Sequence, residues 1–448
     1  MNLSKQAAIF AAFQIRALAL LKVVFRNRRL AVEGVWIALG QFAAMAGSLA
    51  LVRILTGYLD LEQYGQLALT LTLAGLAAQL VTGGLAAGIA RHYPLARERD
   101  DLPSYLSAAR KLFALAVLVI CGLGGVAVLA LALLNRAQWV CLVLAALALS
   151  IVGGANGILN GIQTAARQRP VVALHSGSDA WLRIALALGI AKILGPSSVG
   201  VVWGYALSGG VITFSQLLFL RRLLHRQIPG QPNPLKATNW IAEMWKYSWP
   251  FSAWGPFTWA QQSSDRWALQ AYTSTAAVGA YSVVFQLGYA PISLASGLFV
   301  TLVGPILHER SGGADDPERN REVHNTLWKI TGLSVAMTMA AFALTYILHA
   351  VIFSYFVAPP YRQYSPFLPW MVLAGGFSAA SQILIIKKFS EFLTRQIIPV
   401  RIATAVASAI LIASLTFAYG LTGTVVAMVL SSLLSFVWIC LISLRPVL

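Results

Sequence analysis

Stretches of about 20 largely apolar residues, each long enough to cross a hydrocarbon layer, recur from one end of this 448-residue chain to the other. Twelve can be drawn, at about 31–54, 64–90, 112–134, 139–162, 171–194, 198–220, 243–267, 276–306, 328–352, 365–387, 397–419 and 422–444. A water-soluble core cannot cover that many helices that are apolar all round, whereas a bilayer can. Backbone N–H and C=O groups inside hydrocarbon must be satisfied within the segment, so the spans are helices. Only 11% of the residues are charged, against about 25% in a soluble domain. The expected class is an all-α polytopic membrane protein with twelve transmembrane helices.

The net charge of +18 is distributed between the apolar runs. That pattern belongs to the flanks of membrane spans and excludes a nucleic-acid-binding face. With twelve spans, 27 of the 33 Lys and Arg fall on the side that holds both chain ends. The positive side is cytoplasmic, so both termini are expected in the cytoplasm. Residues 1–30 carry Lys5, Arg16, Lys22, Arg26, Arg28 and Arg29 between apolar stretches too short to span. They read as a basic interfacial segment on an anionic leaflet, and not as a cleaved signal. Cys121, Cys141 and Cys440 lie inside apolar runs without metal-ligand spacing and read as small core residues. There is no Walker A pattern, which excludes a built-in ATPase. The external loops are too short to carry the chemistry of a membrane glycosyltransferase or polysaccharide polymerase, so no enzyme is expected.

The chain repeats. "PLARER" (94–99) after span two matches "PILHER" (305–310) after span eight at a shift of 211. "GPSSVGVV" (195–202) and "LTGTVV" (421–426) precede spans six and twelve, and "LFLRR" (218–222) aligns with "ISLRP" (442–446). The order is conserved between halves, which predicts two pseudo-symmetric six-helix lobes, 31–222 and 240–448, joined by a cytoplasmic linker at 223–239. An even number of spans per half orients both lobes alike, around a central cavity and an axis along the membrane normal. Gly83-Gly84 in span two, Pro250 and Pro256 in span seven, and Pro291 and Pro305 in span eight are expected to interrupt their helices.

"LVRILTGYLDLEQYGQLALTLTLAGLAAQLVTGGLAAGIAR" (51–91) resembles the bacterial polysaccharide transporters, the O-antigen flippase branch of the multidrug/oligosaccharidyl-lipid/polysaccharide superfamily. The resemblance rests on Arg53-Ile54-Leu55-Thr56 closing the first span and Tyr64-Gly65 opening the second. "SSDRWALQAYTSTAAVGAYSVVFQLG" (263–288) is similar to the same family in its acid-base end of span seven and in Gly279-Ala280-Tyr281-Ser282. The resemblance implies transport of undecaprenyl-diphosphate-linked oligosaccharide from the cytoplasmic to the periplasmic leaflet by alternating access. It implies no cofactor.

Such a substrate needs a wet cationic cavity for its diphosphate and sugar, and arginine suits the diphosphate. His175, Asp179 and Arg183 recur at i, i+4, i+8 on one face of span five, with Arg183 near mid-bilayer. A charge at that depth reads as functional; the alternative is an Asp179–Arg183 pair that only neutralises itself. Asp265 and Arg266 end span seven at the depth at which Arg53 ends span one, either as a cavity mouth touched from both lobes or as two charges reaching interfacial water. Arg401, near the cytoplasmic end of span eleven, can meet an incoming diphosphate or serve as a flank charge. Asn156, Asn160 and Gln286, with Gln41, Gln79 and Gln382, can contact sugar hydroxyls or bond between helices. The Trp series 240, 245, 249, 254 and 259 can stack sugars or face lipid. Asp179 and Asp265 are the acids available for coupling to H+ or Na+, with His175 beside them. A small-molecule cation antiporter of the same superfamily is the competing reading; its cavity would be net acidic, and buried acids are few here.

Overall fold

The computed structural model describes residues 28–225, 238–311, 317–390 and 394–444, and every regular element among them is helical. The basic segment through residue 27 and linker residues 226–237 lie outside the described residues. In chain order the helices are α1 Arg28–Tyr58, α2 Leu61–Glu98, α3 Leu102–Leu133, α4 Val140–Ala165, α5 Arg169–Leu194 and α6 Ser198–His225. They continue as α7 Trp240–Tyr272, α8 Thr275–Ser311, α9 Pro317–Phe356, α10 Leu368–Ser390 and α11 Thr394–Leu444, with a 3-10 turn Pro359–Phe367 before α10. Local chemistry marks several starts. Asp60 accepts from Gln63 N at 2.8 Å ahead of α2, and Asn239 accepts from Ala242 N at 3.2 Å ahead of α7. A proline lies in the first turn of α3 and of α5, where its missing N–H costs nothing.

Nine helices are long and apolar enough to cross a membrane among the described residues. Of the twelve expected runs, 171–194 and 243–267 form helices, α5 and α7, that fall outside this set. These carry the buried charges singled out from the sequence, and those charges lower their mean hydropathy. The runs 397–419 and 422–444 share α11, which breaks at Gly420 (φ 57°, ψ −134°). The chain folds back there. The Thr416 and Thr424 hydroxyls lie 2.9 Å apart, although eight residues along a straight helix would separate them by about 12 Å. A side chain at Gly423 would overlap the Leu415 carbonyl.

The first six helices pack chiefly on one another: α1 on α5, α5 on α6, α6 on α4, and α4 on α2 and α3. In the second group α7 packs on α11, α11 on α10, and α10 on both α8 and α9. Small residues allow close approach within the first group, as where Gly40 meets Ala173, Gly177 meets Ala43 and Gly47 meets Ala180. The groups touch through α2 against α7 and α8, with α1 reaching α8 and α9.

The α2–α8 crossing is reciprocal. A Cβ on Gly65 would overlap the Thr275 carbonyl, and a Cβ on Gly279 would overlap the Leu61 carbonyl. Each glycine stands four residues into its helix and receives the first turn of the other. Around this crossing lies one buried cluster: Val52, Leu55 and Leu59 of α1, Tyr64 and Leu67 of α2, Tyr205 of α6, Val278, Tyr281 and Val284 of α8, and Phe353, Val357 and Tyr361. Ala358 N donates to Thr56 Oγ1 at 3.2 Å and Tyr361 OH donates to the Leu59 carbonyl at 2.8 Å. The bundle is therefore sealed at the end that holds the α1–α2, α7–α8 and α9–α10 connections. Along α1 and α8 the cluster is confined to that end: it draws on α1 only from Leu51 onward and on α8 only as far as Leu287.

The expected interruption of span two is a π-helical turn, Ala78–Gly83, followed directly by Gly84. Such turns insert one residue and are frequent at functional sites. Gly255 of α7 packs against the Gln79 carbonyl of this turn, between Pro250 and Pro256, and α7 itself stays helical through both prolines. Gly279→Val should push α8 off α2. A cost of about 1–3 kcal/mol for overpacking should appear as a lower midpoint of thermal unfolding in detergent, while Gly57→Ala, with open space around it, should leave the midpoint unchanged.

Candidate functional site

Two ion pairs flank the sealed cluster, one from each group of helices. In α7, Arg266 Nη1 lies 3.2 Å from Asp265 Oδ1. Asp265 is 2% exposed and fully engaged: Tyr281 OH of α8 donates to its Oδ2 at 2.6 Å, and the Arg266 backbone N–H donates to its Oδ1 at 2.7 Å. Arg266 Nη1 also donates to the Gln262 carbonyl at 3.2 Å. Its guanidinium lies 4.5 Å over the Phe285 ring and 5.9 Å from that of Tyr281. Phe285 stacks on Tyr289 at 4.7 Å between centroids, and Tyr289 OH donates to Ser378 Oγ of α10 at 2.9 Å. The adjacent Gln286 accepts from Tyr64 OH at 3.3 Å, across the two helical groups.

In α5 the predicted stripe is intact and turned to α6. Arg183 Nη2 meets Asp179 Oδ2 at 2.6 Å. Ser208 Oγ donates to Asp179 Oδ1 at 2.9 Å, and the Arg183 guanidinium lies 5.6 Å over the Tyr205 ring. His175 is buried, with Nδ1 on the Val171 carbonyl at 2.7 Å and Nε2 on Ser215 Oγ at 3.0 Å. Leu174, Ser178, Trp181 and Ala185 form the exposed face of the same helix, so Arg183 lies away from the outer surface. Its side chain is 38% exposed, its Nε is buried without a hydrogen-bond partner, and its Asp179 partner is 18% exposed. Arg183 stands eleven residues before the end of α5 and Phe285 ten residues into α8, so both lie about 15 Å from the sealed end.

The remaining predicted residues separate. Asn156 and Asn160 tie α4 to α6: Asn156 Nδ2 donates to the Gly209 carbonyl at 3.2 Å, Thr213 Oγ1 donates to Asn156 Oδ1 at 2.8 Å, and Gln216 Nε2 donates to Asn160 Oδ1 at 2.8 Å. Arg53 is exposed in register with Val35, Leu39, Phe42 and Ala46 on the outward face of α1, whereas Arg266 turns inward. The two therefore form no shared mouth, and the equal depth expected for them does not give them equal direction. The side chain of Arg401 lies outside the described residues. Gln79 Nε2 of the π turn donates to Gln262 Oε1 at 3.2 Å.

The Trp series divides as well. Trp245 and Trp249 are exposed, and Trp259 Nε1 donates to the Thr72 carbonyl at 2.7 Å. Trp240, 2% exposed, is buried in the core of the first group, with Nε1 on Asp101 Oδ2 at 2.7 Å and edge contacts to Tyr105 and His92. The first turn of α7 is thus anchored in the opposite group. Tyr64, Tyr205, Tyr281 and Phe285 were not singled out as site residues, although Tyr64 and Tyr281 belong to the two motifs that carry the family resemblance. Tyr205 and Phe285 offer no signal beyond apolar periodicity.

A polytopic helical membrane protein is the class that this fold defines. Among solved structures it is similar to the lipid II flippase MurJ in an inward closed conformation, with a TM-score of 0.67 and 12% identity over 92% of this chain and 87% of that one. It is also similar to a mutant of the Vibrio cholerae MATE transporter VcmN, with a TM-score of 0.59 and 13% identity over 93% and 95%. A third likeness is an outward-facing multidrug resistance MATE family transporter of the MOP superfamily, at 0.56 and 17% over 92% and 95%. At such identities the likeness is one of fold. No curated protein matches the sequence. The chain belongs to the polysaccharide biosynthesis protein family, whose sequence model matches residues 30–311.

Tyr281→Phe would leave the buried Asp265 carboxylate one hydrogen bond short. A loss of about 1.5–3 kcal/mol is expected, measured by chemical unfolding of the detergent-solubilised protein, with Tyr289→Phe costing less because its partner is a neutral hydroxyl.

Proposed function

We propose that the chain is a flippase that moves a polyprenyl-diphosphate-linked oligosaccharide, the repeat unit of an O-antigen or another surface polysaccharide, from the cytoplasmic to the periplasmic leaflet. The observation that carries the reading is the pair of half-engaged arginines, Arg183 and Arg266, one from each helical group, beside the seal. Each uses one terminal nitrogen on its own aspartate and keeps further donors for an incoming oxyanion. Phe285 and Tyr289 offer stacked faces beside Arg266 for a sugar ring, and Gln286 a hydrogen-bonding amide. The family match and the shared fold with a lipid II flippase support the substrate class.

In this reading twelve crossings, with α11 counted as two, form lobes 31–222 and 240–448. The excess of Lys and Arg orients both termini to the cytoplasm of a bacterial inner membrane, and the seal then faces the periplasm. Alternating access opens the α2–α8 crossing and closes the other end. Without substrate, Asp179 and Asp265 neutralise the arginines. A diphosphate competes with them, and a cation taken up by either carboxylate, H+ or Na+, would free its arginine. The reading needs no cofactor. A drug cation has no use for the two guanidiniums.

Arg183→Ala and Arg266→Ala should each reduce surface polysaccharide roughly 10- to 100-fold, as loss of a charged hydrogen bond of about 1.5–3 kcal/mol implies, while lipid-linked precursor accumulates in the inner leaflet. Normal polysaccharide in the double variant would sink the proposal. Normal flipping with shortened polymer would mark a polymerase.

A further inference from the structure

Remote from the seal, α2 and α7 approach closely: a Cβ on Gly84 or on Gly88 would overlap Ser248 of α7. His92 follows Gly88 by one turn of α2 and is 8% exposed. Its ring stands 6.3 Å from that of Trp240 and 5.9 Å from that of Tyr247, nearly perpendicular to both. His92 Nδ1 lies 2.8 Å from the Gly88 carbonyl. A carbonyl only accepts, so Nδ1 carries the hydrogen, and a neutral ring leaves a lone pair on Nε2. Nε2 faces Glu243 Oε2 of α7 at 3.9 Å. With the ring neutral both atoms are acceptors, and neither has a hydrogen-bond partner among the described residues. The Glu243 side chain is 45% exposed, so a proton can reach the contact from solvent.

The other ionisable groups around the ring are engaged elsewhere or exposed. Asp101, between α2 and α3, accepts from Trp240 Nε1 at 2.7 Å. Arg99 lies over the far ring of Trp240, 5.4 Å away, and donates to Thr238 Oγ1 at 3.3 Å. Tyr105 of α3 donates to the Ile89 carbonyl at 2.7 Å. Arg91 and Arg97 of α2, Arg110 and Lys111 of α3 and Lys246 of α7 are exposed. Helix α4, which also packs on α2, has no acid, base or tyrosine in its sequence. Glu243 is thus the carboxylate placed to answer a charge on the His92 ring.

We propose that His92 and Glu243 form a proton-binding latch between α2 and α7. A proton taken up from solvent at Nε2 makes that atom a donor aimed at the carboxylate, and the contact becomes a charged hydrogen bond. Loss of the proton leaves two acceptors face to face and slackens the latch. The contact therefore tightens as pH falls and weakens as pH rises, across about pH 5–8, the range in which histidine switches charge. Trp240 fixes the same part of α7 in the core of the first group, so the proton sets how firmly that anchor holds. The latch is separate from Asp179 and Asp265. It does not rest on the flippase reading, and its failure would leave that reading intact.

The test is hydrogen exchange of the full chain in detergent, read by mass spectrometry on the peptide spanning residues 240–250. Wild type and Glu243→Gln are compared at the same pH, so intrinsic exchange rates cancel. At about pH 6, Glu243→Gln should exchange about three- to fivefold faster than wild type, as expected for a half-exposed charged pair, and at about pH 8 the two should agree. On a His92→Gln background, Glu243→Gln should have no pH-dependent effect. Should His92→Gln fail to fold, Glu243→Lys takes its place: a cation facing the ring should exchange faster than Glu243→Gln by a margin that is larger at the lower pH. An equal gap between wild type and Glu243→Gln at both pH values overturns the latch, because an acid near a helix start would give that gap without any proton. A pH-dependent gap that survives in His92→Gln, or a Glu243→Lys margin that does not change with pH, overturns it as well.

Discussion

The crossing of α2 and α8 governs how the rest of the molecule can be arranged. Two helices meet backbone to backbone because Gly65 and Gly279 present no side chain, and each receives the first turn of its partner. In a bilayer the hydrophobic effect does not drive one apolar helix onto another, so close van der Waals approach of this kind has to supply the attraction. Everything buried at the sealed end is arranged around it: the Tyr64 bond to Gln286, the Tyr281 bond to Asp265, and the two backbone-directed bonds that tie the α9–α10 connection to α1. The contact is reciprocal, as expected for two related halves that face one another across an axis.

The charges follow a second rule. An isolated guanidinium inside a membrane protein is expensive, and both Arg183 and Arg266 have an aspartate within reach on their own helix. Each is also laid over an aromatic ring contributed by a neighbouring helix. The two pairs differ in how tightly they are held. Asp265 is bound on every side, whereas Asp179 has one hydroxyl and a partly exposed partner. The α5 pair is therefore the easier of the two to exchange for an incoming anion, and the α7 pair the more structural.

Interlobe packing is also uneven along its length. α2 follows α7 from the π turn to the buried Trp240, whereas α1 and α8 share buried residues only near the seal. Because Trp240 is packed into the first group, the start of α7 belongs to one group and its end to the other. A rigid rotation of two separate lobes would have to tear that anchor out. A bend within α7, near Gly255 and the π turn of α2, would not.

Helix class and membrane embedding were legible in the sequence, because apolar length and the bilayer leave a helix no alternative. The i, i+4, i+8 stripe of α5 was legible for the same kind of reason: helical periodicity alone puts His175, Asp179 and Arg183 on one face. Periodicity does not say which neighbour that face meets. His175 and the two asparagines became bonds between helices, and Arg53 turned outward although its depth equals that of Asp265. The tyrosines of the seal carry no local signature, since an aromatic residue in an apolar span looks the same toward lipid as toward a partner. The sequence by itself determined which segments are helices, their order, and the charges that each must accommodate. Only tertiary packing decided which charges face one another, because side-chain direction across a seam depends on how two helices rotate about their own axes, and no single helix encodes that angle.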